Sequence, residues 1–192
     1  MKAKNIIFYS VGIIFLIISF FLDKLVLVSM TRNPILDYAL RGVTHFGSVV
    51  MVLIIVTSLF LWEERKREWI PVLWTSFFAS SILCLALKFL IARARPYDAI
   101  ILYFAGIVNY SFPSLHATAS FTAIPILDLE FPRFKWFWVL FAGIVAFSRI
   151  YLNVHYLSDV VAGALLGFAV AHFFVFIEKK HKIFQRIKIF RR

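Results

Sequence analysis

The sequence predicts an all-α protein: an integral membrane bundle of six transmembrane helices, with an amphipathic surface helix between spans one and two. Three observations carry that expectation. Of the 192 residues, 62% are hydrophobic and 23 are Phe, with a mean hydropathy of +0.87, which is more apolar surface than a soluble domain of this length buries. The apolar residues fall into runs near the ~20 residues that cross a bilayer as a helix. The 21 Lys and Arg residues lie in short clusters between those runs and in the tail, the pattern of membrane-helix flanks. The net charge of +11 therefore points to a bilayer as partner and not to nucleic acid.

The apolar runs cover about 6–22, 47–62, 70–90, 115–131, 136–152 and 160–177. The first follows Met1-Lys2-Ala3-Lys4-Asn5 in the manner of a signal sequence. No small-x-small cleavage site follows it, so an uncleaved first helix is expected. Residues 23–46 are too polar to cross. Within them Asn33-Pro34 offers an N-cap followed by Pro at the first helical position. Ile35, Leu36, Ala39, Leu40, Val43 and Phe46 then share one face, with Asp37, Arg41, Thr44 and His45 opposite. Such a helix lies flat on a membrane surface or packs against the bundle. The fourth run is short and contains Pro125. Its start, Pro113-Ser114-Leu115-His116, would turn backbone N–H groups and a positive dipole end toward an anion.

No repeat, low-complexity segment or long linker divides the chain, so residues 1–192 are read as one membrane-embedded domain. Residues 178–192 form a basic tail, with Ile183, Phe184, Ile187, Ile189 and Phe190 among its cations, suited to an anionic lipid surface. With the N-terminus inside, 14 Lys and Arg residues fall on the cytoplasmic side and seven on the other. That bias places both termini in the cytoplasm. The lone Cys84 excludes an internal disulfide and reads as a small core or lipid-facing residue.

On this topology three charged stretches meet at the outer face: Lys88 to Pro96, Pro113 to His116, and Ser148 to Asp159. Ionisable groups at membrane depth are costly and call for a reason. His155 and Asp159 stand four apart, so a helix starting near Tyr156 puts them on one face. A carboxylate there fixes the imidazole tautomer and makes it a better nucleophile; such a pair also serves simply to tie two helices. Arg149 suits a phosphate oxyanion. No acid cluster suited to Mg²⁺ or Ca²⁺ joins these residues, and the two histidines lack a third zinc ligand. The set suits holding a phosphate and attacking it without a metal or other cofactor.

Lys88, six intervening residues and Arg95-Pro96; Pro113-Ser114-x-His116; and Ser148-Arg149, five residues, His155, three residues and Asp159 together resemble the three-part signature of the type 2 phosphatidic acid phosphatase (PAP2) superfamily. The resemblance implies His155 as nucleophile forming a phosphohistidine and Asp159 as its orienting partner. It implies His116 as general acid and then base, with Lys88, Arg95, Ser114, Arg149 and the Leu115 N–H around the phosphate. One position departs: Leu115 stands where the family usually has Gly, and is accommodated if its φ is negative. Ser148 is expected to support Arg149. Arg93 is expected to meet lipid phosphates at the outer surface, with Asp98 near it. His45 reads as an interfacial residue and His172 as a satisfied helix residue. Similarity to compact bacterial envelope enzymes implies a membrane lipid monophosphate or diphosphate as substrate, in the inner membrane with the site facing the periplasm. Lipid A 1-phosphate is favoured over phosphatidylglycerophosphate and undecaprenyl diphosphate. Phosphotransfer to a lipid acceptor, or a non-catalytic lipid-binding protein, are the alternative functions.

Overall fold

The structure, a computed structural model, describes residues 3–45, 51–63, 66–96 and 110–184, and these are helical with no strand among them. Helix α1 spans Ala3–Ser29 and α2 Pro34–Val43. A π-helical segment, Met51–Val56, leads into α3, Thr57–Glu63, and a 3₁₀ turn, Arg67–Trp69, into α4, Ile70–Ile91. Then come α5, Leu115–Thr122; α6, Ile124–Glu130; α7, Lys135–Tyr151; and α8, Leu157–His181. Four helical stretches are long and apolar enough to cross a membrane: Ile6–Ser29, Arg67–Ile91, Pro132–Tyr151 and Leu157–His181. The start of the expected second span, Phe46, Asp98 and the tail beyond residue 184 lie outside the described residues.

The expected fourth span is two short helices end to end. Pro125 has no N–H to continue the ladder, and the helix breaks at Ala123 before α6 begins. These 16 residues form the centre of the bundle. Ala117, Thr118, Ala119, Ser120, Thr122, Ile126 and Leu127 are all buried, chiefly against α8 and also against α4 and α7. Polar side chains are tolerated there because they bond locally. Thr118 and Thr122 hydroxyls donate to the carbonyls four residues back, and the Thr122 hydroxyl also meets Ser80 Oγ at 2.9 Å. Two glycines let α8 approach α5. A Cβ on Gly163 would stand 2.5 Å from the Ser114 carbonyl, and one on Gly167 2.1 Å from the Thr118 carbonyl.

Two boundaries differ from the sequence reading. Helix α1 runs through Asp23 and Lys24 to Ser29, because the Asp23 carboxylate is paired inside the bundle and so does not mark a surface loop. Helix α8 runs to His181, where Lys182 takes a left-handed C-cap. Glu178 is buried and accepts the Phe184 N–H at 3.0 Å, so the tail begins later than its composition suggests. The Asn33 cap is as expected: its Oδ1 accepts the N–H groups of Ile35 at 2.9 Å and Leu36 at 3.4 Å. The Asn33 N–H donates to Tyr151 Oη at 2.6 Å, and Leu40 packs with Tyr151 and Leu152, which fastens α2 to the end of α7. Ile35 and Tyr38 are left exposed. Cys84 is a core residue, and His172 Nδ1 is 3.1 Å from Tyr9 Oη.

Candidate active site

The turn between α7 and α8 is tight, and its backbone brings His155 back over Arg149. The Leu152 N–H bonds the Ser148 carbonyl at 2.9 Å, Asn153 that of Ile150 at 2.9 Å, and Val154 and His155 both that of Arg149 at 3.2 Å. Asn153 takes the left-handed conformation, φ 56°, which Asn adopts more readily than most residues. Ser148 does not bond to Arg149; its hydroxyl turns back to the Val145 carbonyl at 2.6 Å.

The three stretches named from the sequence converge here. Lys88, in the last turn of α4, is 2% exposed and donates Nζ to the carbonyls of Tyr110 at 2.6 Å and Ser111 at 3.3 Å. Arg95 donates Nη1 to the Val154 carbonyl at 3.1 Å, beside His155. Ser114, the N-cap of α5, donates its N–H to the Asp159 carbonyl at 2.9 Å. His116, one residue into α5, bonds the Thr44 backbone carbonyl, and Arg149 donates Nη1 to Thr44 Oγ1 at 3.3 Å. Leu115 is not among the residues with positive φ, so it opens α5 without backbone strain.

His155 sits just before α8, which begins at Leu157, and not on its face. Its Nδ1 nevertheless lies 3.5 Å from Asp159 Oδ2, longer than an ordinary hydrogen bond, as is common before substrate tightens an active site. Asp159, fully buried, accepts the Tyr156 N–H on Oδ2 at 2.8 Å and Arg93 Nη1 on Oδ1 at 2.8 Å. Burial, and then the charges of Lys88, Arg95 and Arg149, hold the His155 imidazole well below the ordinary histidine range. Burial also lowers Arg95, with Asp159 opposing. A neutral imidazole is nucleophilic where an imidazolium is not. With His155 in the nucleophile's role expected from the sequence, the acid limb of kcat/KM is predicted below pH ~6.5, the unperturbed value. An acid limb at or above that pH, measured from pH 4 to 8, would contradict it.

Three of the eight buried polar atoms without a hydrogen-bond partner among the described residues are at this site: Ser114 Oγ, Arg149 Nε and His155 Nδ1. Each such group costs ~1–3 kcal/mol unless a ligand satisfies it. No group of three His, Cys, Asp or Glu residues able to hold a metal occurs among the described residues. The apolar groove of about 610 Å³ lined by Ile54, Trp62, Trp74 and Phe78 is elsewhere. Its α4 wall ends at Phe78, roughly 15 Å along the helix from Lys88 at 1.5 Å per residue.

Arg93 is not the lipid-facing residue expected from its position. Its Nη2 donates to Asp23 Oδ2 and its Nη1 to Asp159 Oδ1, each at 2.8 Å, and its Nη1 also reaches Ser158 Oγ at 2.7 Å. Its guanidinium lies 4.1 Å from the Tyr156 ring centroid. Asp23, Thr44, Ser111 and Ser158 were not among the predicted site residues. A lone acid at the end of an apolar run, as Asp23 is, was the one signal available.

Residues 69–182 match the PAP2 superfamily. The chain is 36% identical over 129 residues to an undecaprenyl-diphosphatase of Sulfolobus acidocaldarius, covering 64% of this chain and 62% of that protein, so it spans under two thirds of that relative's length. It is 32% identical over 177 residues to a lipid A 4'-phosphatase of Bacteroides thetaiotaomicron, covering 82% and 75%. Its fold is that of the transmembrane PAP2-type phosphatidylglycerolphosphate phosphatase from Bacillus subtilis, with a TM-score of 0.69 at 24% identity over 91% of this chain and 98% of that one. Apolar crossing helices, three converging motifs and relatives named as phosphatases agree: the chain is a multi-pass membrane protein of the PAP2 superfamily.

Proposed function

We propose that this protein removes a phosphate from a membrane lipid monophosphate or diphosphate, without a metal, through a phosphohistidine. The observation that carries this reading is the buried His155 set among Lys88, Arg95 and Arg149, with Ser114 Oγ and Arg149 Nε left unpartnered beside it. His155 attacks phosphorus in line, forming an N–P bond as the P–O bond to the lipid breaks. His116 gives its proton to the leaving oxygen. Asp159 orients the ring and stabilises the imidazolium charge. The four side chains and the Leu115 N–H hold the equatorial oxygens as their charge spreads. Water then gives a proton to His116 and attacks phosphorus, the N–P bond breaks, and inorganic phosphate leaves with His155 free again.

The six-span topology belongs to this proposal, with α3 and its preceding segment as one crossing, α5 with α6 as another, and α2 lying on the outer surface. Under that topology the whole chain is one domain, both termini are cytoplasmic and the site faces the periplasm of a bacterial inner membrane, where lipid head groups sit. The exposed Ile35 and Tyr38 of α2 suit contact with lipid. Lipid A 1-phosphate is the first candidate substrate; the Bacteroides relative, named for the 4'-phosphate, supports lipid A as the lipid, and a relative named lipid A 1-phosphatase, 34% identical over 95 residues, supports the position. Phosphatidylglycerophosphate and undecaprenyl diphosphate follow from the names of the other two proteins.

The test is phosphate release by purified protein from lipid A, phosphatidylglycerophosphate, undecaprenyl diphosphate and phosphatidic acid in mixed micelles, with and without EDTA. Release is expected at the same rate with EDTA, and the fastest substrate ranks the candidates. A rate that EDTA abolishes and Mg²⁺ restores would overturn the metal-free mechanism. Phosphate found on a lipid acceptor instead of in solution would make the protein a phosphotransferase.

A further inference from the structure

We infer that Arg93, gripped by Asp23 of α1, is a positioning residue that sets the Asp159 carboxylate for His155; this rests on the phosphohistidine reading. Asp159 is a buried acid with two oxygens to satisfy. Oδ2 takes the Tyr156 N–H and faces His155 Nδ1 at 3.5 Å, while Oδ1 is held by Arg93 Nη1 at 2.8 Å. The Tyr156 N–H fixes one edge of this carboxylate and Arg93, the one cation bonded to it among the described residues, fixes the other, with the Ser111 hydroxyl also acting on it. Arg93 is fixed in turn, since its second nitrogen, Nη2, donates to Asp23 Oδ2 at 2.8 Å and its plane covers Tyr156.

Asp23 is as fully committed as Arg93. Its Oδ1 accepts the Ser158 N–H at 2.8 Å and its Oδ2 the Ser158 hydroxyl at 2.6 Å. One guanidinium thus bridges two buried carboxylates, Asp23 of α1 and Asp159 of α8, and Asp23 also grips the first turn of α8 through the Ser158 N–H. An arginine suits this place because its planar fork reaches two acceptors at fixed angles, which an ammonium cannot do. Arg93 does not reach the phosphate in this arrangement: both of its terminal nitrogens are spent on carboxylates and Ser158. Its effect on the reaction passes through Asp159.

The experiment compares Arg93→Gln, Arg93→Lys and Asp23→Asn, alone and in an Asp159→Asn background, using phosphate release from dioctanoyl phosphatidic acid micelles. Arg93→Gln is expected to lower kcat by about 10- to 100-fold, the scale of a sub-ångström to 1 Å misplacement, with KM within about 2-fold of parent. Arg93→Lys and Asp23→Asn should fall between the two and serve where Arg93→Gln does not fold. With Asp159→Asn already present, adding Arg93→Gln should cost under about 2-fold, because the residue through which it acts is gone. Fully multiplicative losses, or a change confined to KM, would overturn the inference. A second arm needs no substrate. In ¹⁵N-histidine NMR, with His155 assigned by its Gln variant, the parent should show a neutral ring in the Nδ1-protonated tautomer that the facing Asp159 carboxylate favours, and Arg93→Gln should lose that tautomer signature. An unchanged signature would also overturn the inference. A parent that releases no phosphate defeats the phosphatase reading instead, and the NMR arm still decides the role of Arg93.

Discussion

His155→Ala is expected to lower phosphate release at least about 10³-fold on every substrate the parent cleaves, because it removes the atom that bonds to phosphorus. Lipid binding should survive, since Lys88, Arg95 and Arg149 are untouched. The fold should survive as well, because the turn that carries residue 155 is held by backbone bonds from positions 152 to 155 to the end of α7. Turnover and substrate retention by the same detergent-purified preparation separate these outcomes. A variant that keeps more than a few per cent of parental turnover would remove His155 from the role of nucleophile and leave His116 as the remaining candidate.

Gly167→Ala is expected to cost ~1–3 kcal/mol of stability, the usual range for overpacking a tight core, and to lower kcat as well. The added methyl would stand 2.1 Å from the Thr118 carbonyl and 2.8 Å from Thr122 Oγ1. Backbone is the first obstacle, so relief requires α5 and α8 to move apart. Those two helices carry opposite halves of the candidate site: Ser114 caps α5 and His116 lies in its first turn, and Asp159 lies in the first turn of α8. Gly143→Ala is the matched control. A Cβ there meets nothing within 4 Å, and removing a helix-interior glycine should be neutral or stabilising by ~0.5–1 kcal/mol. Thermal unfolding with activity at matched protein concentration tests the pair. Equal behaviour of the two variants would mean that the close approach of α5 to α8 does not govern the site.

The candidate site is legible as three short stretches in which ionisable residues stand out among apolar neighbours, at spacings that resemble the PAP2 signature. Lys88, Arg95, Ser114, His116, Arg149, His155 and Asp159 are named that way, and the structure brings their three stretches together, while their roles stay part of the proposal. The Asn33-Pro34 helix start was legible for a local reason too: a cap bonds N–H groups two and three residues ahead. Where meaning depends on a distant partner, sequence carries no signal of it. Asp23 reads as the polar end of a span, although its acceptors are used by groups 70 and 135 positions later. Arg93 reads as a lipid contact for the same reason. Thr44 falls on the polar face of a surface helix by its spacing, yet it is buried and joins His116 to Arg149. The charge of Glu178 marks the end of α8 too early, because its burial against the following turn is set by tertiary packing.

The Asp23 grip also bears on how the chain is made. Synthesis runs at about 5–20 residues per second, and Ser158 follows Asp23 by 135 positions. The first helix therefore waits roughly 7 to 27 s before its acid meets the last of its partners. Until Arg93 is made, 70 positions after it, that acid is an uncompensated charge near a membrane boundary, where it is costly. Arg93 arrives first and α8 last. In a nascent chain that has not yet reached α8, of these partners Arg93 alone holds Asp23, and the grip of α1 on the first turn of α8 closes only when the last helix is made.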